Sequence, residues 1–216
     1  MREVVIMIKV LGVCGSPRKG ATEYVIREAL NSIINISEVE VEFMSLQGKK
    51  VEPCNNCDYC RRNKTWCVMK DDMNDLLLKF IEADAYIIGT PVYVYTATPQ
   101  LFAFFSRMRP IFHMFPEKLR NKFGVALATG GKRNGGQEMA VNSVINLMFA
   151  RGINVVSNEV GGYAGAYFWS KDLKEAGVKE DEIALEYVRK LANKLVEVAL
   201  IYDNGKKNIN NNCNLK

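Results

Sequence analysis

Three observations predict an α/β fold, with a parallel sheet held between two helical layers. Short apolar runs alternate with runs whose apolar residues recur at helical spacing, most of the short runs are continuously apolar, and loops rich in glycine, proline or hydroxyls follow several of them. Strands covered on both faces read this way, and their alternation with helices implies parallel neighbours joined by crossovers.

The first run, VVIMIKVLGVCG at 4–15, is a buried strand; Lys9 and the glycine turn behind it distinguish it from an export signal. Val25, Ile26, Ala29, Leu30, Ile33 and Ile34 place a helix over 21–35, and VEVEFMSL at 39–46 alternates like a more exposed strand. Asp71 or Asp72 can cap a helix running through Phe80 and Ile81. AYIIGTPVY at 85–93 is a buried strand, and a helix from Pro99 towards Phe115 follows it. Then come a strand at 122–131, a helix at 136–150, a strand INVVSNEV at 153–160 and an amphipathic helix from Asp181 to about Tyr202. YAGAYFWS at 163–170 could be a loop reaching a neighbouring subunit, a point its sequence alone does not decide. Five strands fit a flavodoxin-like three-layer sandwich of strand order 2-1-3-4-5, whose ligand lies beyond the carboxyl ends of the strands.

The organisation is one domain over 1–202, with a cysteine-rich loop at 47–70 inserted after strand 2 and an Asn-rich tail at 203–216 expected to be disordered. Net charge is +5, with lysines and arginines scattered among acids rather than striped with aromatics, so nucleic acid is not an expected partner. No apolar run approaches the ~20 residues of a membrane span. A soluble, cytoplasmic protein is expected, in a compartment that keeps thiols reduced.

Cys54, Cys57, Cys60 and Cys67 fall in one short run, PCNNCDYCRRNKTWC. Three cysteines at three-residue steps with a fourth further on suit a [4Fe-4S] cluster, in which each thiolate takes a different iron. Zinc is the alternative, although its structural sites use two separated pairs. Disulfides are the other, although they belong to small secreted domains short of core. Cys14 reads as a buried strand-end thiol, and Cys213 as a stray one. The single histidine, His113, assembles no catalytic triad.

Three strand ends carry loops suited to an anion and a flat ring. CGSPRKGATE at 14–23 enters a helix whose N-terminal N–H groups can meet a phosphate, with Ser16, Arg18 and Thr22 adding hydrogen bonds. It matches neither the P-loop nor the G-x-G-x-x-G order. GTPVYVYT at 89–96 can present backbone groups and Tyr93 or Tyr95 to a ring edge, and TGGKRNGGQE at 129–138 permits close backbone approach.

GSPRKG at 15–20, the cysteine run, KDDM at 70–73, EADAYIIGTPVY at 82–93 and TGG at 129–131 together resemble the iron-sulfur flavoproteins of the NADPH-dependent FMN reductase-like superfamily. The likeness spans about 8–165. It implies a flavodoxin-like fold, one FMN and one [4Fe-4S] cluster per subunit, and electron transfer as the activity. By this resemblance Ser16, Arg18, Gly20, Ala21, Thr22 and Glu23 hold the FMN phosphate. Pro91, Val92, Tyr93 and Val94 contact the isoalloxazine, and Thr129, Gly130 and Gly131 line its other edge. The cysteine run supplies the cluster ligands. The resemblance also implies a homodimer or homotetramer in which one subunit's cluster approaches another's flavin; the aromatic run at 101–115 could be a contact helix, and its apolar excess equally suits core. The expected donor is a ferredoxin or similar carrier; Arg61, Arg62 and Lys64 could dock it or stabilise the anionic cluster, and a plain solvated loop accounts for them more simply. The sequence departs from the family pattern at Ala21–Glu23, after Tyr93, where no glycine follows, and at Ser106-Arg107, where Asp-Arg is common. An NAD(P)H-dependent flavin or quinone reductase and a zinc-bound non-enzymatic module are the alternative readings.

Overall fold

The computed structural model describes residues 7–162 and 164–212. In chain order these form β1 (Ile8–Cys14), α1 (Ala21–Asn31), β2 (Val39–Ser45), α2 (Tyr59–Asn63), α3 (Met73–Glu82), β3 (Ala85–Pro91), α4 (Pro99–Ser106) and α5 (Arg109–Met114). They continue with a 3-10 turn (Pro116–Leu119), β4 (Phe123–Gly130), α6 (Gln137–Phe149), β5 (Asn154–Val155), β6 (Ala166–Trp169), α7 (Glu175–Lys179) and α8 (Glu182–Asn212). All pairings are parallel, in the order β2-β1-β3-β4-β5, with β6 also on β4.

The alternation of side chains along a strand divides the core in two. Leu11, Val13, Tyr86, Ile88 and Ala126 pack with Leu77, Phe80, Phe104 and Val144 of α3, α4 and α6. Val10, Ile87, Val125 and Leu127 pack on the other face with Ile26 of α1 and Val188, Leu191 and Leu195 of α8. The three-layer sandwich is therefore the expected one.

Four local expectations change. The fifth sheet position is shared: β5 pairs with the start of β4 (Phe123↔Asn154) and β6 with its end (Leu127↔Ala166), so the strand expected over 153–160 is cut short to β5. YAGAYFWS consequently supplies a strand of the sheet itself. The helix expected over 99–115 breaks at Arg107–Met108, because Pro110 lacks the N–H that would bond to the Ser106 carbonyl. Finally, α8 continues past Tyr202 to Asn212, into the tail expected to be disordered, although burial stops at Ala199. Once nucleated, each added residue gains a backbone hydrogen bond without needing a packed face. Cys213 lies outside the described residues, and among them no helix is long and apolar enough to cross a membrane.

Candidate functional site

The three strand ends are hydrogen-bonded to one another. Gly15 N donates to Gly89 O at 2.8 Å, Val92 N to Thr129 O at 2.9 Å, and the buried hydroxyls of Thr22 and Thr129 share a hydrogen bond of 2.7 Å. Thr98 ties them further: its hydroxyl donates to Gly15 O at 2.6 Å and accepts from Leu101 N as the cap of α4. Sequence reasoning missed Thr98; its only signal was a Thr directly before a Pro at a helix start.

In the first loop, Ser16 is buried and its hydroxyl closes a turn with Arg18, donating to Arg18 O and accepting from Arg18 N. Gly20 precedes α1 without a side-chain cap, which leaves the first-turn N–H groups around Ala21 and Thr22 open to an anion. Glu23 does not oppose that anion with a bare carboxylate, because Arg27 Nε donates to it at 2.8 Å. Arg18 itself is exposed.

After Pro91 the chain makes a tight turn, in which Tyr93 N donates to Thr96 O and Thr96 N to Tyr93 O. Val94 and Tyr95 at its tip have φ of 47° and 61°. That turn favours glycine or asparagine, so a β-branched valine there stores strain. Val94 is 94% exposed and Tyr95 packs against Gly136. At the third loop, Gly130 accepts from Ser170 N, and Gly131 accepts from Trp169 Nε1. Gly131 also lies against the Asp172 carboxylate, and Lys174 lies beside Gly20 of the first loop, neither announced by any motif.

The four cysteines come from the segment between β2 and α3 and all border one cavity, together with Asp58, Met69, Arg107 and Arg109. They are free thiols, with Cys60 buried, Cys54 and Cys67 half-buried and Cys57 exposed. The cavity is narrow, about 10 Å³ at its centre. Among the described residues no three Cys, His, Asp or Glu side chains are gathered tightly enough for a single metal ion. Four thiols bordering one cavity are the number of donors that a polynuclear cluster would need, each thiolate taking its own iron. Short-range turns shape the segment: Asn56, Asp58 and Lys64 have φ of 58°, 59° and 45°, and Asn56 N donates to Cys54 Sγ at 3.4 Å. Cys54 N donates to Ser106 Oγ at 3.1 Å, which gives the serine at that departure from the family pattern a part in holding the segment.

Two arginines fix the segment. Arg107, 1% exposed at its side chain, donates to both oxygens of Asp71 (2.7 and 3.0 Å) and to Glu52 O (2.8 Å). Burial opposes the charge of Asp71, but Arg107 and the N–H groups of Glu52 and Met73 hold its carboxyl below the usual range. Its contribution to stability is thus present above the ordinary carboxylate range and is lost as pH falls through the lowered value. Arg109 binds Asn56 and Asp58 and lies beside Cys54, while the Cys67 sulfur lies beside Arg107. The sequence signal for Arg107 was an arginine inside an otherwise apolar helical run. Arg61, Arg62 and Lys64, by contrast, are exposed.

Between Val51–Pro53, which lead into Cys54, and the Tyr93–Val94 turn lies an open, mainly apolar pocket of about 560 Å³. Phe102 forms part of its wall, and Gln100, whose buried Oε1 has no partner, also borders it.

Burial pushes the Cys14 thiol up to about 11. At pH 8 only about one in 10³ of these thiols would be ionised, so Cys14 should resist a thiol reagent that labels the cavity cysteines. Labelling of Cys14 in the folded protein at the rate of Cys57 would contradict this. Its contribution to stability should fall from about pH 9 as the unfolded chain ionises first.

These features define a flavodoxin-like α/β protein whose ligand edge adjoins a cavity walled by thiols. The sequence profile described as NADPH-dependent FMN reductase matches residues 8–164. An iron-sulfur flavoprotein of Methanocaldococcus jannaschii is 41% identical over 192 residues, covering 88% of this chain and 96% of that one. Another from Archaeoglobus fulgidus is 38% identical over 190 residues, covering 88% and 96%. A WrbA-like flavodoxin from Agrobacterium tumefaciens shares the fold at a TM-score of 0.60 and 17% identity, covering 89% of this chain and 97% of that one. The chain belongs to the NADPH-dependent FMN reductase family, among its iron-sulfur flavoproteins. Membership of that family carries a flavin-based redox role.

Proposed function

We propose that this protein is an electron carrier that binds FMN at the joined strand ends and a [4Fe-4S] cluster at Cys54, Cys57, Cys60 and Cys67. It passes electrons between a ferredoxin-type donor, the cluster and the flavin. The observation that carries the reading is the convergence of all four cysteines on one cavity beside two arginines, on a segment whose entry adjoins the Tyr93 turn. When bound, the cluster supplies single-electron steps and FMN single- or two-electron steps.

The chain's own contribution is placement. The first turn of α1, Ser16 and Thr22 would hold the phosphate, with Arg18 free to close on it. Pro91–Val94 and Thr129–Gly131 would bracket the ring, and Arg107 and Arg109 would balance the charge of the thiolates. Phe102 and Phe112 stay 40% and 37% exposed while Leu101, Phe104, Phe105 and Ile111 are buried. The expected contact helix is therefore mostly core, with two exposed aromatics to offer a second copy in a homodimer or homotetramer.

Anaerobic purification with iron, acid-labile sulfide and FMN quantified per chain tests the reading. About four irons, four sulfides and one FMN are expected. Zinc without iron or flavin would select a metal-bound module instead. Thr22→Val should raise the Kd for FMN about tenfold, because it breaks the hydroxyl pair joining the first and third loops. Fluorescence titration with an unchanged Kd would separate those hydroxyls from the flavin site.

The second reading, an NAD(P)H-dependent flavin or quinone reductase, is favoured by the 560 Å³ pocket beside Tyr93, whose size suits a flat organic substrate. Anaerobic bleaching of the flavin by NADPH at catalytic rates would select it over ferredoxin as donor.

A further inference from the structure

We propose that Arg107 is the positioning residue of the cysteine cavity. It staples the two ends of the cysteine segment together, and its spare Nε–H serves as a fixed donor to the Cys67 side of the bound cluster. The inference rests on the reading that the four cysteines hold a cluster.

The accounting of its donors leads there. The terminal nitrogens of Arg107 are taken by Glu52 O, two residues before Cys54, and by Asp71, four residues after Cys67. One guanidinium therefore closes the segment at its base, and Asp71 reinforces the closure by accepting from Glu52 N at 3.1 Å. Arg107 Nε is left buried with no hydrogen-bond partner, in a residue that walls the cavity. A buried donor without an acceptor is costly, and full enclosure denies it solvent. Cys67, whose sulfur can accept, lines the same cavity as Arg107 and interacts with its guanidinium. Both roles need the guanidinium fork, because a lysine could not reach Asp71, the Glu52 carbonyl and the sulfur with fixed geometry.

The physical consequence is a reduction potential. Adding an electron to an already anionic thiolate cluster is favoured by a nearby cation in a low-dielectric wall and by an N–H donated to sulfur. Arg107 should therefore make the cluster easier to reduce and slower to lose its iron.

The test compares unmutated holoprotein with Arg107→Lys and with the double variant Arg107→Met/Asp71→Asn, which removes both charges and so leaves no lone buried ion. Melting temperature and flavin content report folding. Cluster midpoint potential and the rate of iron capture by a chelator report the inference. Both variants are expected to shift the cluster potential negative, leave the flavin potential unchanged and release iron about tenfold faster. A folded variant with unmutated potential and iron release overturns the proposal. If neither variant folds, Arg109→Lys protein labelled with nitrogen-15 arginine decides it. Magnetic coupling of an arginine nitrogen to the reduced cluster is then expected, and its absence overturns the proposal. Unmutated protein free of iron and labile sulfide would instead refute the cluster reading itself.

Discussion

Cys60→Ala should empty the cysteine cavity of iron while the flavin site keeps its ligand. Cys60 is the buried member of the four, placed in α2 against Arg109 and Pro110 along the cavity wall. Burial outweighs the neighbouring Arg109 cation and pushes its thiol above the usual value, so the thiolate form is costly until a bound metal meets it. A metal supplies that cation, and loss of this sulfur leaves one iron without a protein ligand. Iron per chain after anaerobic purification should drop at least tenfold, with FMN per chain retained within about a factor of two. The separation follows from position: Cys60 lies in the inserted segment, whereas the phosphate loop, Thr98 and Thr129 hold each other through bonds that do not involve it. Undiminished iron in the variant would remove Cys60 from the ligand set. Simultaneous loss of iron and flavin in a protein that still melts cooperatively would show instead that the two sites depend on each other.

Gly165→Ala should be strongly destabilising where the chain enters the last strand of the sheet, and Gly152→Ala is its control. Both glycines are in the left-handed region, at φ of 105° and 72°. At Gly152 a Cβ would meet nothing within 4 Å, so only backbone strain of about 1 kcal/mol is expected. At Gly165 the Cβ would stand 2.4 Å from Ala126 O, a backbone atom of the central strand β4 that cannot swing aside. Strain plus that clash should cost about 3 kcal/mol. The residue leads the chain into β6, whose Trp169 and following Ser170 hold Gly131 and Gly130 at the ligand edge. Gly165→Ala should therefore weaken FMN binding as well as lower the denaturation midpoint, and Gly152→Ala should do neither to a comparable degree. Equal midpoints for the two variants would show that the close approach at Gly165 relaxes without cost.

The exposed strain at Val94–Tyr95 and the break at Arg107–Met108 illustrate what local pattern cannot carry. The Pro91 motif placed a loop at the end of β3, but no rule of spacing put a valine at φ of 47°. Similarly, the run 101–115 has helical spacing throughout, and only the missing N–H of Pro110 bends it so that Arg107 turns towards Asp71 and Glu52. The strand at 153–160 failed for a related reason. Apolar character was sufficient there for a strand, yet the pairing with β4 was completed by 166–169, and a pairing register is a property of two segments, not one.

By itself the sequence determined the alternation of the first four strands with their helices, the parallel sheet, the three loops at its carboxyl edge and the close spacing of four cysteines. Each of these is written in short-range periodicity or spacing, which act through neighbouring residues. Only the tertiary structure decided that Thr22 meets Thr129, that Thr98 holds Gly15, and that Arg107 joins Glu52 to Asp71 with one donor to spare. Those contacts join residues tens of positions apart, and a buried charge or hydroxyl acquires its partner only when packing has excluded water from both.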